Sequence, residues 1–371
     1  MAINSILNPS DLTFSPEEVR SLNETIFEEI YAKPAITEFL TAYEGVKSGK
    51  QIVFMGVING LVGQAHDNTN CAPVENTAGI DNTEKFWAPA FWDDRFSECW
   101  DDLIETFFVY SLKEGTERGD LTTTDFGQFF VDRYKDALAE MFFRFVWFGD
   151  VDAATVSASP AGHFIAAGFA AKRWNLIDGI WKQIFAAVAA NSARKTTDLA
   201  TKNAQVTFAL QEFNSTDTTN RVVTTMLQNL VFNADYRLQD KTDKIIIVTK
   251  SIADQYVREL EAGAANGIPV AFEMIQDGIS VIKRMGVTIY AFSFWDRMIR
   301  TYMSSANGLA YYLPHRALLT VKSNIAFGTS DSGNFSKVDP FFDRLTNKSY
   351  FDVAGNLDAK LMQSYLFQAA Y

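Results

Sequence analysis

The sequence predicts an α+β fold in which a long helix and a protruding β-hairpin attach to a body of mixed strands and helices. Three observations carry that reading. In "TTTDFGQFFVDRYKDALAEMFFRFVWFGD", Phe126, Phe130, Tyr134, Leu138, Met141, Phe145 and Phe148 recur at helical spacing, while Asp132, Lys135, Asp136 and Glu140 fall off that stripe. "KSGKQIVFMGVINGLVG" (Lys47 to Gly63) is a β-branched apolar run between glycines, followed by a long polar tip and an aromatic return. "DKIIIVTKSIADQYVRELEAG" and "GISVIKRMGVTIYAFSFWDRMIRTYMSSANG" then alternate buried strands with helices.

The elements follow in order. "SPEEVRSLNETIFEEIY" opens with Ser15 as a cap, Pro16 in the first turn and Glu18 completing the capping box; Val19, Leu22, Ile26 and Ile30 mark one face. This leading segment reads as an arm that packs on something else. The hairpin tip, "QAHDNTNCAPVENTAGIDNT", is too long and polar for a tight turn. Between Trp92 and Phe108 two readings stand, because Trp92, Phe96, Trp100, Leu103 and Phe107 suit a helix face while the alternation up to Phe91 suits a strand. The long helix, Thr124 to Phe148, runs roughly 37 Å at about 1.5 Å per residue. Its C-terminal end is apolar all round and predicts enclosure on every side.

Beyond it, "FAAKRWNLIDGIWKQIFAAVAAN" is helical in composition and "NAQVTFALQ" strand-like. "HRALLTVKSNIAFGTSD" reads as two short apolar strands broken at Lys322-Ser323-Asn324 and closed by Gly328. The last segment, from Val338, sets turn residues between short apolar runs and ends on an aromatic strand or helix.

Composition narrows the function classes. With 47% hydrophobic and 21% charged residues among 371, the chain has ample core; 31 Phe, 13 Tyr and 7 Trp supply rigid surface for burial both inside and against neighbours. A net charge of −12 opposes a role that grips phosphates with a basic face. Two cysteines, Cys71 and Cys99, form no disulfide framework and fit a reducing cytoplasm. No signal peptide is legible before Arg20, and the uncharged stretch Ala153 to Ala171 is too broken by Ser, Pro, Gly and His for a membrane helix.

Neither phosphate-binding glycine motif occurs, and "GTSDSG" at Gly328 to Gly333 misses the nucleophile elbow by one residue and reads as a polar turn. His66, His163 and His315 lack ligand spacing, so no metal and no cofactor is expected. On a helix, Asp94, Glu98, Asp101 and Glu105 would share one face, the arrangement of a carboxylate-based hydrolase or of an ordinary solvated face. "GDVDAATV" (Gly149 to Val156) starts like a calcium loop but has Ala154 where an oxygen ligand belongs, and reads as a turn ending the helix. No catalytic residue is assigned.

An ordered set of segments, "EKFWAPAFWDDRFSECWDDL", "MFFRFVWFGDVDAA", "LIDGIWKQIF", "IIIVTKSIADQYVREL", "FWDRMI", "LPHRALLTVKSNIAFGTSD" and "DAKLMQSYLFQAAY", resembles the tailed-bacteriophage major capsid proteins of the Hong Kong 97-like fold, in particular those of crAss-like and other Bacteroidales phages. The resemblance implies an N-terminal arm over 1–46 and an extended β-hairpin loop over 47–110. It implies a peripheral domain with a spine helix over 111–151, an α/β axial domain over 152–319, and a return to the peripheral domain over 320–371. It implies a structural subunit, not an enzyme, that forms hexamers and pentamers of an icosahedral shell around double-stranded DNA. Its partners would be copies of itself, portal, scaffolding and decoration proteins, and weakly contacted DNA, with no membrane. Its place would be the virion capsid, assembled in the host bacterial cytoplasm. An encapsulin-like protein shell is the alternative with the same fold. The arm begins within a few residues of Met1, so no removable scaffolding extension is expected; the Gln64 to Thr83 tip has no lysine, so no Lys–Asn crosslink is expected either.

Overall fold

The computed structural model describes residues 39–59, 79–99, 125–155, 164–166, 169–263, 273–276, 279–284, 286–305, 308–329, 339–343 and 348–371. The arm helix expected after Ser15 and most of the hairpin tip lie outside these residues.

Strands β1 (Thr41–Tyr43), β2 (Gln51–Asn59), β3 (Gly79–Phe86) and β4 (Ala90–Cys99) precede the long helix α1 (Asp125–Phe148). Two residue pairs, β5 (Ala154–Thr155) and β6 (Phe164–Ile165), lead to α2 (Ile180–Ala190) and β7 (Lys195–Thr196). One-turn helices then precede α3 (Val222–Phe232), which is followed by β8 (Lys244–Thr249), α4 (Lys250–Gly263), β9 (Glu273–Gln276), β10 (Ile279–Arg284), β11 (Val287–Phe292) and α5 (Ser293–Tyr302). The chain finishes with β12 (Ala317–Val321), β13 (Ile325–Gly328), β14 (Asp339–Asp343), β15 (Lys348–Leu361) and β16 (Phe367–Ala370).

Seven strands form the larger sheet in the order β7-β16-β12-β8-β11-β10-β9. Within "KIIIVT" the run Ile245–Val248 is apolar throughout because β8 lies in the middle and is covered on both faces. Alternation does the sorting. Ile247 and Leu318 point into one core with Trp147, Ile180, Trp181 and Trp295 from α1, α2 and α5. Ile246, Val248, Ala317 and Leu319 point into the other, with Val223, Leu227, Ile252 and Tyr256 from α3 and α4. Gly286 takes φ 72° in the tight connection that turns β10 into β11.

The smaller sheet runs β1-β13-β15-β14, with β4 also paired on β15. Phe327 of β13 meets Phe142 of α1 edge-on at 4.7 Å. From α2, Gln183 acts as a fragment of strand: its Nε2 donates to Ala359 O at 2.7 Å and its Oε1 accepts from Leu361 N at 2.8 Å. The C-terminal end of α1 is enclosed as its composition predicts, Val146, Trp147 and Phe148 having no exposed surface. Trp147 and Trp295 stand edge-to-face at 4.9 Å, and Trp181 and Trp295 at 5.1 Å.

After β12 the chain crosses between these two sheets twice, and one asparagine ties the two crossings together. Asn324 Oδ1 accepts from Gln363 N at 2.7 Å, its Nδ2 donates to Leu366 O at 3.1 Å, and its O accepts from Met362 N at 2.8 Å. Lys322–Asn324 is thus the step from the seven-stranded sheet to the smaller one, and β15 to β16 is the step back.

Several expectations change. "NAQVTFALQ" is not a strand: Asn203 ends the one-turn helix Ala200–Asn203 and Phe208–Gln211 forms another, because its alternate apolar residues Val206, Phe208 and Leu210 face solvent and no described strand pairs with them. Within 169–191 the helix begins only at Ile180. The hairpin's return strand starts earlier than its aromatic segment, at Gly79, and the aromatic Ala90–Cys99 is a strand of the smaller sheet. The final strand, Phe367–Ala370, lies in the seven-stranded sheet rather than with the rest of 320–371, held between β12 and β7.

Candidate functional site

The two-stranded ribbon β2–β3 is the feature that needs a partner most. It registers Gln51 with Phe86 through Asn59 with Gly79, with an irregularity between Met55 and Ile58. Among the described strands neither β2 nor β3 pairs with anything else. A lone two-stranded hairpin is marginal in water. What holds its base is a small satellite core of Val46, Trp87, Ala326 and Met362, with Ile52 and Phe54 half-buried against it. Trp87 N donates to Lys50 O at 3.0 Å, and Gly49 N to Trp87 O at 2.9 Å. Gly328 leaves room for the indole; a Cβ there would sit 2.7 Å from Trp87 Cζ3. Lys85 Nζ donates to Leu361 O, fixing the ribbon to the end of β15, and burial lowers the pKa of that amine. On the opposite side of the ribbon Val53 is exposed, and Phe86 and Phe91 beside its foot are also exposed.

The carboxylate quartet does not assemble in the described residues. Asp94 and Glu98 lie on β4, paired opposite Val353 and Ser349, and Asp94 is exposed; Asp101 and Glu105 are outside the described residues. The helix reading that would have grouped them fails at least to Cys99, because β4 pairs continuously with Lys348–Leu357.

At the calcium-like turn a lysine stands where a cation would. Lys182 Nζ lies 2.5 Å from Asp150, 2.6 Å from Asp152 and 2.9 Å from Asp178. Burial alone would lower its pKa, but the hydrogen bonds to these three carboxylates raise it. Among the described residues no group of His, Cys, Asp and Glu could hold a metal ion.

His315 is buried and holds the nearest approach to a catalytic pair. Its Nε2 donates to Gln211 O at 2.7 Å, which leaves Nδ1 to accept from Ser251 Oγ at 2.9 Å. Ser251 borders a cleft of about 320 Å³ with Lys250, Asp254, Arg258, Asp296 and Arg300. Two features oppose nucleophilic chemistry there. Burial pushes His315 down to about 4, so an imidazolium formed by taking the serine proton is strongly disfavoured. The N–H groups at the start of α4, where an oxyanion would rest, are occupied: Lys250 N and Ser251 N donate to the Asp296 carboxylate. The pair is a strut between α4 and the loop before β12. His66 and His163, and Ser330 to Gly333 of the "GTSDSG" stretch, lie outside the described residues.

The site with no advance signal is Arg316. Its guanidinium is fully buried with no carboxylate paired to it among the described residues, Nε donating to Leu313 O at 2.9 Å and Nη2 to Tyr312 O at 3.0 Å. The rings of Trp181, Phe148, Phe185 and Tyr312 surround it at 5.2, 5.5, 5.5 and 5.9 Å. Burial lowers its pKa to about 9. Leu313, whose carbonyl it holds, carries φ 48°, a left-handed backbone that leucine rarely adopts. Arg316 thereby pins α1, α2 and the entry to β12 together.

No helix among the described residues is long and apolar enough to cross a membrane. No protein-family model matches the chain, and no curated protein matches it. Among solved structures the chain is similar to chains of phage and phage-like shells. These include the satellite phage P4 procapsid with its size determination protein (9% identity, 94% of this chain and 98% of that one, TM-score 0.48). They also include Gordonia phage Cozz (8%, 90% and 84%, TM-score 0.47) and the virus-like particle from Pyrococcus furiosus (6%, 95% and 98%, TM-score 0.42).

Proposed function

We propose that the chain is the structural subunit of an icosahedral phage capsid, assembling into hexamers and pentamers that enclose double-stranded DNA. The observation that carries this reading is the β2–β3 ribbon, a two-stranded element with exposed Val53 and Phe86 whose described anchors, the small core and the Lys85–Leu361 hydrogen bond, all lie at its foot. Such an element finds its burial on another chain. In this reading 1–46 is the arm, 47–110 contains the extended loop, and 111–151 contains the spine helix. Residues 152–319 form the axial domain, joined by the last strand, and the rest of 320–371 returns to the peripheral domain.

Within the shell the partners are copies of the chain, with portal, scaffolding and decoration proteins at their own positions. A subunit of net charge −12 contacts packaged DNA weakly, which suits a container that must release it. Assembly takes place in the host bacterial cytoplasm and the subunit ends in the virion. The role is structural and not enzymatic, consistent with a Ser251–His315 pair whose histidine is held neutral by burial.

Expression of the full chain, followed by size-exclusion chromatography and electron microscopy, tests this. Capsomers or closed shells are expected. A stable monomer under every assembly condition contradicts the reading, and shells whose genes and contents point to a protein cargo redirect it to an encapsulin-like compartment.

A further inference from the structure

Two uncharged stretches meet at the surface. "NAQVTFALQ" (Asn203 to Gln211) and "MSSANGLAYYLP" (Met303 to Pro314) contain no Asp, Glu, Lys or Arg, in a chain that is 21% charged. Phe208 N donates to Leu309 O at 3.1 Å, and the Phe208 ring lies 4.4 Å from that of Tyr311. From this junction Val206, Phe208, Leu210 and Leu309 expose 61%, 41%, 53% and 59% of their surface. One exposed leucine needs no explanation; a cluster of four apolar side chains does.

The patch is also built to stay in place. Gln211, nearly fully buried, donates through Nε2 to Asn203 O at 3.1 Å and Tyr311 O at 2.9 Å, and accepts from Tyr311 N at 2.8 Å. Asn203 exchanges two hydrogen bonds with the His315 backbone, at 2.8 and 3.0 Å. A surface already ordered by buried amides loses little entropy on docking.

We infer that this patch is a contact between copies of the chain, separate from the ribbon. The inference rests on the shell-subunit reading. Charge favours a second copy as the occupant. The charged residues that flank the first stretch are both paired, Glu212 with Arg300 at 2.8 Å and Lys202 with Asp217 at 2.6 Å, so two strongly acidic subunits can meet here without like-charge repulsion. Area fixes the kind of contact. Four such side chains offer on the order of 400 Å² per copy, about half of the roughly 800 Å² per partner in a stable two-body interface. The patch therefore adds to a ring or shell held by other contacts and does not make a dimer by itself.

Leu210→Asp and Leu309→Asp in the full chain test it, with hydroxyl-radical footprinting of wild-type particles as the second measurement. Both substitutions are at exposed positions and are expected to leave the melting temperature unchanged. The yield of capsomers and shells should fall roughly tenfold or more, while Leu210→Met assembles normally. In wild-type shells Phe208 and Leu210 should be protected relative to dissociated subunits. Normal assembly of both aspartate variants, or equal labelling in shells and free subunits, overturns the inference and leaves the face open to a different protein while the capsid reading stands. A wild-type chain that stays monomeric overturns both.

Discussion

Replacing Trp87 with alanine separates the ribbon from the body without unfolding the body. The indole is buried against Val46, Ala326 and Met362, in a core apart from the two that cover the seven-stranded sheet. Truncating a buried tryptophan costs about 3–5 kcal/mol. The lower value applies here, because Ile52 and Phe54 are only half-buried and can settle into part of the space. At about 1.4 kcal/mol per tenfold, 3 kcal/mol raises the population of the detached ribbon by roughly 150-fold. Hydrogen–deuterium exchange reads this directly. Amides of Gln51–Phe54 and Glu84–Phe86 should lose about two decades of protection, while those of Ile246–Val248 and Ile289–Ala291 keep theirs. Assembly should fall with the ribbon. A uniform loss across both sheets, or unchanged protection at the ribbon, would refute the argument that its foot is an independent core.

Three further outcomes follow from buried groups. Lys182→Ala removes the ammonium that fully buried Asp150 shares with Asp152 and Asp178, and should lower stability by about 3 kcal/mol in urea unfolding, whereas Lys182→Arg should recover part of it. Burial raises Asp296 to about 6, against the opposing hydrogen bond from Lys250 N. Its folded pKa exceeds the unfolded value, so this group's contribution is complete below about pH 4 and is lost as pH rises through 6. Stability should therefore drop by up to about 3 kcal/mol between pH 4 and 8 on its account, and Asp296→Asn should flatten that slope in denaturation measured across the range. Gly179→Ala places a Cβ 2.6 Å from Gly149 N and 2.9 Å from Phe145 O, all backbone, and should cost at least about 1–3 kcal/mol in thermal or urea denaturation.

What the sequence made legible was local. The break at Lys322-Ser323-Asn324 between two apolar runs appears as drawn, and strand-to-helix passages such as Lys244–Gly263 and Ile279–Tyr302 follow from period alone. Non-local partners were not legible. The N-terminus of α4 is capped by Asp296 from α5, and that of α3 by Glu259, whose oxygens accept from Val223 N at 2.9 Å and Thr224 N at 2.7 Å. Neither cap leaves a capping-box signature. Arg316 likewise reads as a polar residue at a strand start, since nothing local announces three rings converging on it from α1 and α2. "NAQVTFALQ" misled for a related reason: its alternation was real, but the alternating face points to solvent and belongs to a surface contact in our account.

The central claim is that the ribbon completes its burial on a neighbouring copy, and cryo-electron microscopy of particles assembled from the full chain measures it most directly. The account predicts closed shells of hexamers and pentamers in which β2 and β3 lie across an adjacent subunit. Isolated monomers, or shells whose ribbons project into solvent without touching a neighbour, would contradict it.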